Sequence, residues 1–214
     1  MTVMPNTLRD PKVNSTIQHL FSQAALDETR SVPDSRPETA RQHADALAEV
    51  YMPISAEGGR LLYSLVRAVR PAVVVEFGMS FGISTLFLAS AVRDNGTGHV
   101  FTTEMSAAKI AAAKATFGET GLDEAITVLE GDARETLAGL TDTVGFVLLD
   151  GWKDLCLPVL RLLEPRLPPG TLVVADDVNL ASLGPYLTYV RDPANGYESV
   201  TFPVEDGMEV SCRA

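Results

Sequence analysis

The sequence predicts a doubly wound α/β domain: an open, mostly parallel sheet with helices on both faces, an N-terminal helical extension and a C-terminal antiparallel hairpin. Three observations carry this. Five short apolar runs alternate with helix-length segments from residue 72 onward, the pattern of a parallel sheet whose crossovers are helices. The first run, Val73-Val74-Val75-Glu76-Phe77, enters a Glu-x-Gly-x-x-x-Gly turn and then an apolar helix, the layout of a mononucleotide-binding turn. Acidic residues (Glu76, Glu104, Asp150 and Asp176) close the first, second, fourth and fifth runs, at the strand edge where ligands bind in such sheets.

In chain order, the apolar positions Val13, Ile17, Leu20, Phe21 and Ala25 predict a helix within residues 1–30. A Ser/Pro/Asp/Arg-rich stretch from Ser31 to Glu38 reads as an exposed connection. A second helix is expected from near Pro37 to Tyr51 and a third from about Ala56 to Ala68, with Pro71 marking the turn into the sheet. The strands are expected at Ala72 to Phe77, Gly98 to Glu104, Ile126 to Glu130, Gly145 to Asp150 and Thr171 to Asp176. Two β-rich runs, Tyr197 to Pro203 and Met208 to Cys212, joined by Val204-Glu205-Asp206-Gly207, predict the hairpin.

At 214 residues the chain has room for one full α/β domain, with residues 1–50 as a helical segment or flap and 51–214 as the ligand-binding core. The 17 basic and 28 acidic side chains give a net charge of -11, which opposes nucleic-acid and anionic-membrane partners. Apolar residues make up 46% of the sequence, yet no run approaches the roughly 20 residues that span a bilayer. With no signal-like N-terminus either, a cytoplasmic protein is expected. Cys156 and Cys212 are too few for a disulfide framework and read as small apolar residues, with Cys156 a minor candidate for the site. His19, His43 and His99 are scattered and read as structural or solvent-facing.

The glycine turn is one residue longer than the dinucleotide fingerprint, and Glu76 would repel a pyrophosphate there. A carboxylate suits a ligand carrying an ammonium, as S-adenosylmethionine does. Gly78 and Gly82 are expected to take positive φ and let that ligand approach the backbone. Glu104 at the second strand's end can accept both ribose hydroxyls. After the third strand, Asp132 or the Ala133 amide could meet an adenine edge, or Asp132 could simply cap the next helix. Asp150, Asp176 and Asp177 are expected to face one crevice, where three carboxylates without a cation such as magnesium would repel strongly or hold a proton.

The segments Asp150-Gly151-Trp152-Lys153-Asp154-Leu155-Cys156-Leu157-Pro158 and Gly170-Thr171-Leu172-Val173-Val174-Ala175-Asp176-Asp177-Val178 resemble the metal-dependent class I S-adenosylmethionine-dependent O-methyltransferases, the type that includes catechol and caffeoyl-CoA O-methyltransferases. The resemblance covers nearly everything after Tyr51 and implies a Rossmann-like methyltransferase sheet. It also implies that Glu76, Gly78 and Ser84 hold the methionine part of the cofactor, Glu104 the ribose, with Met105 beside it, and Asp132 to Arg134 the adenine. By the same likeness Asp150, Asp176 and Asp177 ligate the metal, Asp150 also touches the cofactor, and Lys153 is the general base. Ile54 and Ser55 would line the cofactor and substrate entrance, and Trp152 would wall the methyl group. Without the resemblance, Lys153 reads as an ammonium paired with Asp154 or Asp177, and Trp152 as a cover for the sheet edge.

Three positions depart from that pattern. Asp177 stands where the family usually has Asn, Val200 stands where the catechol enzyme uses Glu to hold a second hydroxyl, and Pro53 in the entrance segment Met52-Pro53-Ile54-Ser55 also departs from the catechol enzyme. The expected reaction is methyl transfer to a hydroxyl of a small aromatic or catechol-like acceptor. The alternatives are a metal-independent O- or N-methyltransferase of the same fold and a non-catalytic adenosyl-ligand binder. A homodimer is the family's implication, and the acceptor pocket is expected from the N-terminal segment and the loop from Leu180 to Gly196.

Overall fold

A computed structural model describes residues 6–30 and 39–214. Three helices come first: α1 (Pro11–Ala24), α2 (Ala40–Ala46) and α3 (Ala56–Val69). The alternating core follows as β1 (Val73–Phe77), α4 (Ile83–Asn95), β2 (His99–Glu104), α5 (Ala107–Thr120), β3 (Ile126–Glu130) and α6 (Ala133–Thr136). It continues as β4 (Phe146–Leu149), α7 (Cys156–Leu163), β5 (Leu172–Ala175), α8 (Gly184–Arg191), β6 (Tyr197–Phe202) and β7 (Met208–Arg213). All seven expected strands form, trimmed by a residue or so at their ends.

The seven-stranded sheet runs β3-β2-β1-β4-β5-β7-β6. Strands β1 to β5 are mutually parallel, and β7 lies antiparallel between β5 and β6. The chain winds outward from β1 to β3, returns to β4, and winds the other way. That reversal leaves a crevice beyond the carboxyl ends of β1 and β4.

Strand parity assigns each side chain to a face. Val74, Val100, Phe146, Leu148 and Val174 enter the core shared with α1, α3, α4 and α5. Val73, Val75, Phe77, Val147, Leu149 and Val173 enter the opposite core with α6, α7 and α8. Helix α4 is buried on nearly every side, because α3 covers the face turned away from the sheet.

The N-terminal helices differ in detail from expectation. Helix α1 is capped by Asp10, which accepts from the Lys12 and Val13 amides, and it buries Ala24 rather than Ala25. Helix α2 is shorter than its apolar pattern suggested. A capping box of Thr39 and Gln42 starts it, and the chain turns away after Ala46 to reach Met52 at φ 45°. The expected start at Pro37 and the Ser31 to Glu38 connection lie outside the described residues. Asp94 of α4 ties down the N-terminal end, accepting from the Thr7 amide and hydroxyl and from the Tyr63 hydroxyl.

Gly78 and Gly82 take φ of 101° and 84°, as expected of the turn. The space freed by their missing Cβ atoms is filled by protein, however, and not offered to a ligand. A Cβ on Gly82 would lie 2.6 Å from the Phe117 ring, and one on Gly78 would lie 2.5 Å from the Gly151 amide nitrogen. Among the described residues no helix is long and apolar enough to cross a membrane.

Candidate active site

A cavity of about 370 Å³ opens over the carboxyl ends of the sheet. Its wall follows strand order: Glu104 ends β2, Gly78 follows β1, Asp150 follows β4, and Asp176 and Asp177 follow β5. Glu104 and Asp176 are therefore three strand spacings apart, roughly 14 Å, a span suited to an elongated ligand. Eleven of the expected site residues line this cavity: Ile54, Gly78, Ser84, Glu104, Met105, Ala133, Asp150, Trp152, Lys153, Asp176 and Asp177.

Three do not. Ser55 is spent capping α3, its hydroxyl accepting from the Gly58 amide at 3.0 Å. Asp132 caps α6 through the Arg134 amide at 2.9 Å and pairs with the Arg134 guanidinium, so the capping alternative describes it. Glu76 shares the parity of Val74, which carries it under α4 and out of the crevice. Its carboxylate is fully buried and accepts from Ser84, Thr85 and Thr102 at 2.5–2.6 Å. Glu76 therefore holds Ser84, which does line the cavity, instead of meeting a ligand itself.

Burial raises the Glu76 carboxyl from 4.5 to about 7, against the pull of its three hydroxyl donors. Between those values the folded protein keeps a proton that the unfolded chain has lost. Stability from this group is thus complete below pH 4.5 and is lost as pH rises through 7. Glu76→Gln is expected to remove this part of the pH dependence, on the order of 2 kcal/mol. Melting curves at pH 5 and pH 8 test it: an undiminished difference between the two in the variant contradicts the assignment.

At the β4 and β5 end, the Lys153 ammonium sits between two carboxylates, 2.8 Å from Asp150 Oδ1 and 3.0 Å from Asp177 Oδ2. Its side chain is 9% exposed. Burial alone would lower its pKa, but Asp150 and Asp177 outweigh burial and raise it, so Lys153 is a firmly held cation here. This differs from the lowered value that a catalytic base calls for, and it matches the pairing with Asp177 that the sequence offers without the resemblance. Burial, then Asp150 and Asp177, push the Asp176 carboxyl up to about 8. The ammonium thus pairs with two of the three acidic side chains, and the donor set suits a hard divalent cation in atom type. Among the described residues, though, no three His, Cys, Asp or Glu side chains converge as a ready-made metal site. Asp177 takes φ 59°, a left-handed conformation that Asp tolerates better than most residues.

Several wall residues had no sequence signal. Tyr51 stacks on Phe81 with ring centroids 3.9 Å apart, and Lys109 Nζ lies 5.6 Å from the Phe81 centroid. His43 stacks on Trp152 at 4.1 Å, so this histidine, exposed as expected, also backs the cavity wall. Glu205 and Asp206, expected only as turn residues, line the cavity, as does Ala44, while Met52 and Pro53 reach the wall beside Ile54, as part of the expected entrance segment. Of the expected acceptor loop only Leu180 reaches the wall, because residues 184–191 fold as α8. Cys156 is buried off the wall, and burial pushes its thiol up to about 12. Val200 lies exposed on β6, also away from the cavity.

Comparison with known proteins finds methyltransferases similar to this chain. A family described as a methyltransferase domain matches residues 75–178. Catechol O-methyltransferase B of Danio rerio is 28% identical over 208 residues, covering 91% of this chain and 77% of that protein. A probable O-methyltransferase of Mycobacterium tuberculosis is 32% identical over 149 residues, covering 64% of this chain and 63% of the relative. The structure of an O-methyltransferase from Bacillus cereus in complex with SAH superposes with a TM-score of 0.70 at 18% identity, covering 97% of this chain and 94% of that one, a likeness of fold.

Proposed function

We propose that the chain, which is similar to S-adenosylmethionine-dependent O-methyltransferases, methylates a hydroxyl of a small aromatic acceptor with a neighbouring oxygen, using Lys153 and a divalent cation, magnesium by preference. The observation that carries the reading is Lys153 held between Asp150 and Asp177 in the wall of a cavity whose far end carries Glu104.

In this reading Ile54, Gly78 and Ser84 seat the methionine end of the donor, Glu104 takes the ribose hydroxyls, and Met105 and Ala133 border the adenine. Asp150, Asp176 and Asp177 would hold the cation, which when bound would supply positive charge to acidify a nearby hydroxyl and to offset the carboxylates that keep Lys153 protonated. Trp152, Met52 and Leu180 give the acceptor ring apolar walls, so that its oxygen is aligned with the methyl group for in-line displacement. The acceptor oxygen bonds to the methyl carbon as the carbon–sulfur bond breaks. The electron pair stays on sulfur, giving S-adenosylhomocysteine, and the hydroxyl proton passes to neutral Lys153 Nζ.

A second reading is favoured by the Lys153 bridge itself, because the ammonium already stands between two of the three carboxylates. In that case no ion is needed, and Asp150, Asp177 and Lys153 alone orient the nucleophile. Methyl transfer from S-adenosylmethionine to a panel of catechols and other hydroxyaromatics, with magnesium and again with a chelator, separates the two. Loss of at least 100-fold of the activity with chelator is expected. Turnover indifferent to chelator selects the metal-independent reading, and cofactor binding with no turnover on any hydroxyl acceptor counts against both.

A further inference from the structure

Lys109 is the wall residue least explained by the reading above. It stands in the first turn of α5, where the helix N-terminus disfavours a cation, and it is only 3% exposed. Lysine is almost never buried so fully without a charged partner. Yet among the described residues no carboxylate lies within 4.0 Å of its ammonium, whose one hydrogen bond is to Ser80 Oγ at 3.1 Å. An ammonium has three donors, so two remain for whatever fills the cavity.

The neighbouring group has the complementary surplus. Glu104 Oε1 accepts from the Met105 and Ser106 amides at 2.7 and 2.8 Å, and Oε2 accepts from the Ser80 amide at 2.9 Å. These bonds orient the carboxylate and leave lone pairs unused. Ser80 thus ties both groups together, its amide on Glu104 and its hydroxyl on Lys109. That hydroxyl also donates to the Tyr51 carbonyl at 2.6 Å, fixing Ser80 at φ 48°. Carboxylate and ammonium are held side by side without pairing. A hydroxyl both donates and accepts, so a diol bridging the two satisfies each.

We infer that Lys109 is a ribose-positioning residue, donating to the oxygens of the adenosyl ribose hydroxyls whose hydrogens Glu104 accepts. The inference rests on the adenosyl ligand proposed above and adds a contact that the glycine turn and the strand-end acid do not supply. The alternative is purely structural: Lys109 tethers Ser80 and Phe81 and never touches the ligand.

Calorimetry distinguishes these, using the full chain with S-adenosylhomocysteine and with its 2′-deoxy and 3′-deoxy ribose analogues. Lys109→Met is expected to bind the parent ligand about tenfold more weakly or worse. In addition, the penalty for at least one missing hydroxyl is expected to be smaller in Lys109→Met than in the unsubstituted protein, because one of its two partners is already gone. A tether would weaken binding of all three ligands by the same factor. Equal deoxy penalties in the two proteins overturn the inference. Lys109→Gln, which keeps a donor without the charge, carries the same comparison if Lys109→Met does not fold. A protein that binds S-adenosylhomocysteine not at all overturns the adenosyl reading itself, a result distinct from equal penalties.

Discussion

Lys153→Met is expected to lower kcat by about a thousandfold while S-adenosylhomocysteine binding changes by no more than a few-fold. Methionine keeps much of the length and volume of the side chain but can neither accept a proton nor carry charge. Lys153 is the cation that the cavity wall presents to the β4 and β5 carboxylates, since Lys109 stands at the β2 end. Removing it leaves Asp150 and Asp177 facing each other uncompensated, which costs stability as any broken buried pair does. A melting curve must therefore accompany the rate. A folded variant that retains near-normal kcat would falsify the assignment of Lys153 as base.

The same geometry fixes the sign of a pH effect. Asp150 and Asp177 hold the ammonium in its charged form, and a base must be neutral to act. Replacing Asp177 with Asn, the residue usual in the family, removes one of the two restraining charges. The alkaline-rising limb of the pH–rate profile is then expected to move toward acid. A limb that stays in place would mean that Lys153 does not set it.

The strands were legible because each is a short apolar run bounded by Gly, Pro or an acid, a signal local to a few residues. The shortness of α2 was not legible: the chain leaves the helix at Leu47, whose amide bonds back to the His43 and Asp45 carbonyls, with no Gly or Pro there to mark the end. The strand-end acids were found by position, but position alone misplaced Glu76. Parity with Val74, also readable from sequence, sends its side chain beneath α4, where Ser84, Thr85 and Thr102 wait for it. Asp132 shows the opposite case, in which the simplest local role, a helix cap, was sufficient. Lys109 and the Tyr51–Phe81 stack carried no local signal at all. A lysine within a helix reads as a solvated surface residue, and only the approach of residues 28 to 30 positions away in sequence buries it and builds that stack.

Gly78→Ala is expected to lower stability by about 3 kcal/mol and methyl transfer by at least 100-fold. At φ 101° an alanine is strained before it touches anything. Its Cβ would also lie 2.5 Å from the Gly151 amide nitrogen and 2.7 Å from the Asp150 carbonyl carbon and oxygen, and backbone cannot rotate aside as a side chain does. Little room exists behind, because Gly151 is itself packed against the Phe77 ring and Asp150 is bonded to Phe77 through its amide at 2.8 Å. The segment that must yield is therefore the one carrying Asp150, Trp152 and Lys153. Gly82→Ala is the informative control. It has a similar backbone strain at φ 84°, but its contact is the Phe117 ring, a side chain remote from those three residues. Gly82→Ala should lose stability and keep most of its kcat, whereas Gly78→Ala should lose both. Equal loss of kcat in the two variants would mean that the shape of the turn, and not the close passage of the β1 and β4 ends, sets the catalytic geometry.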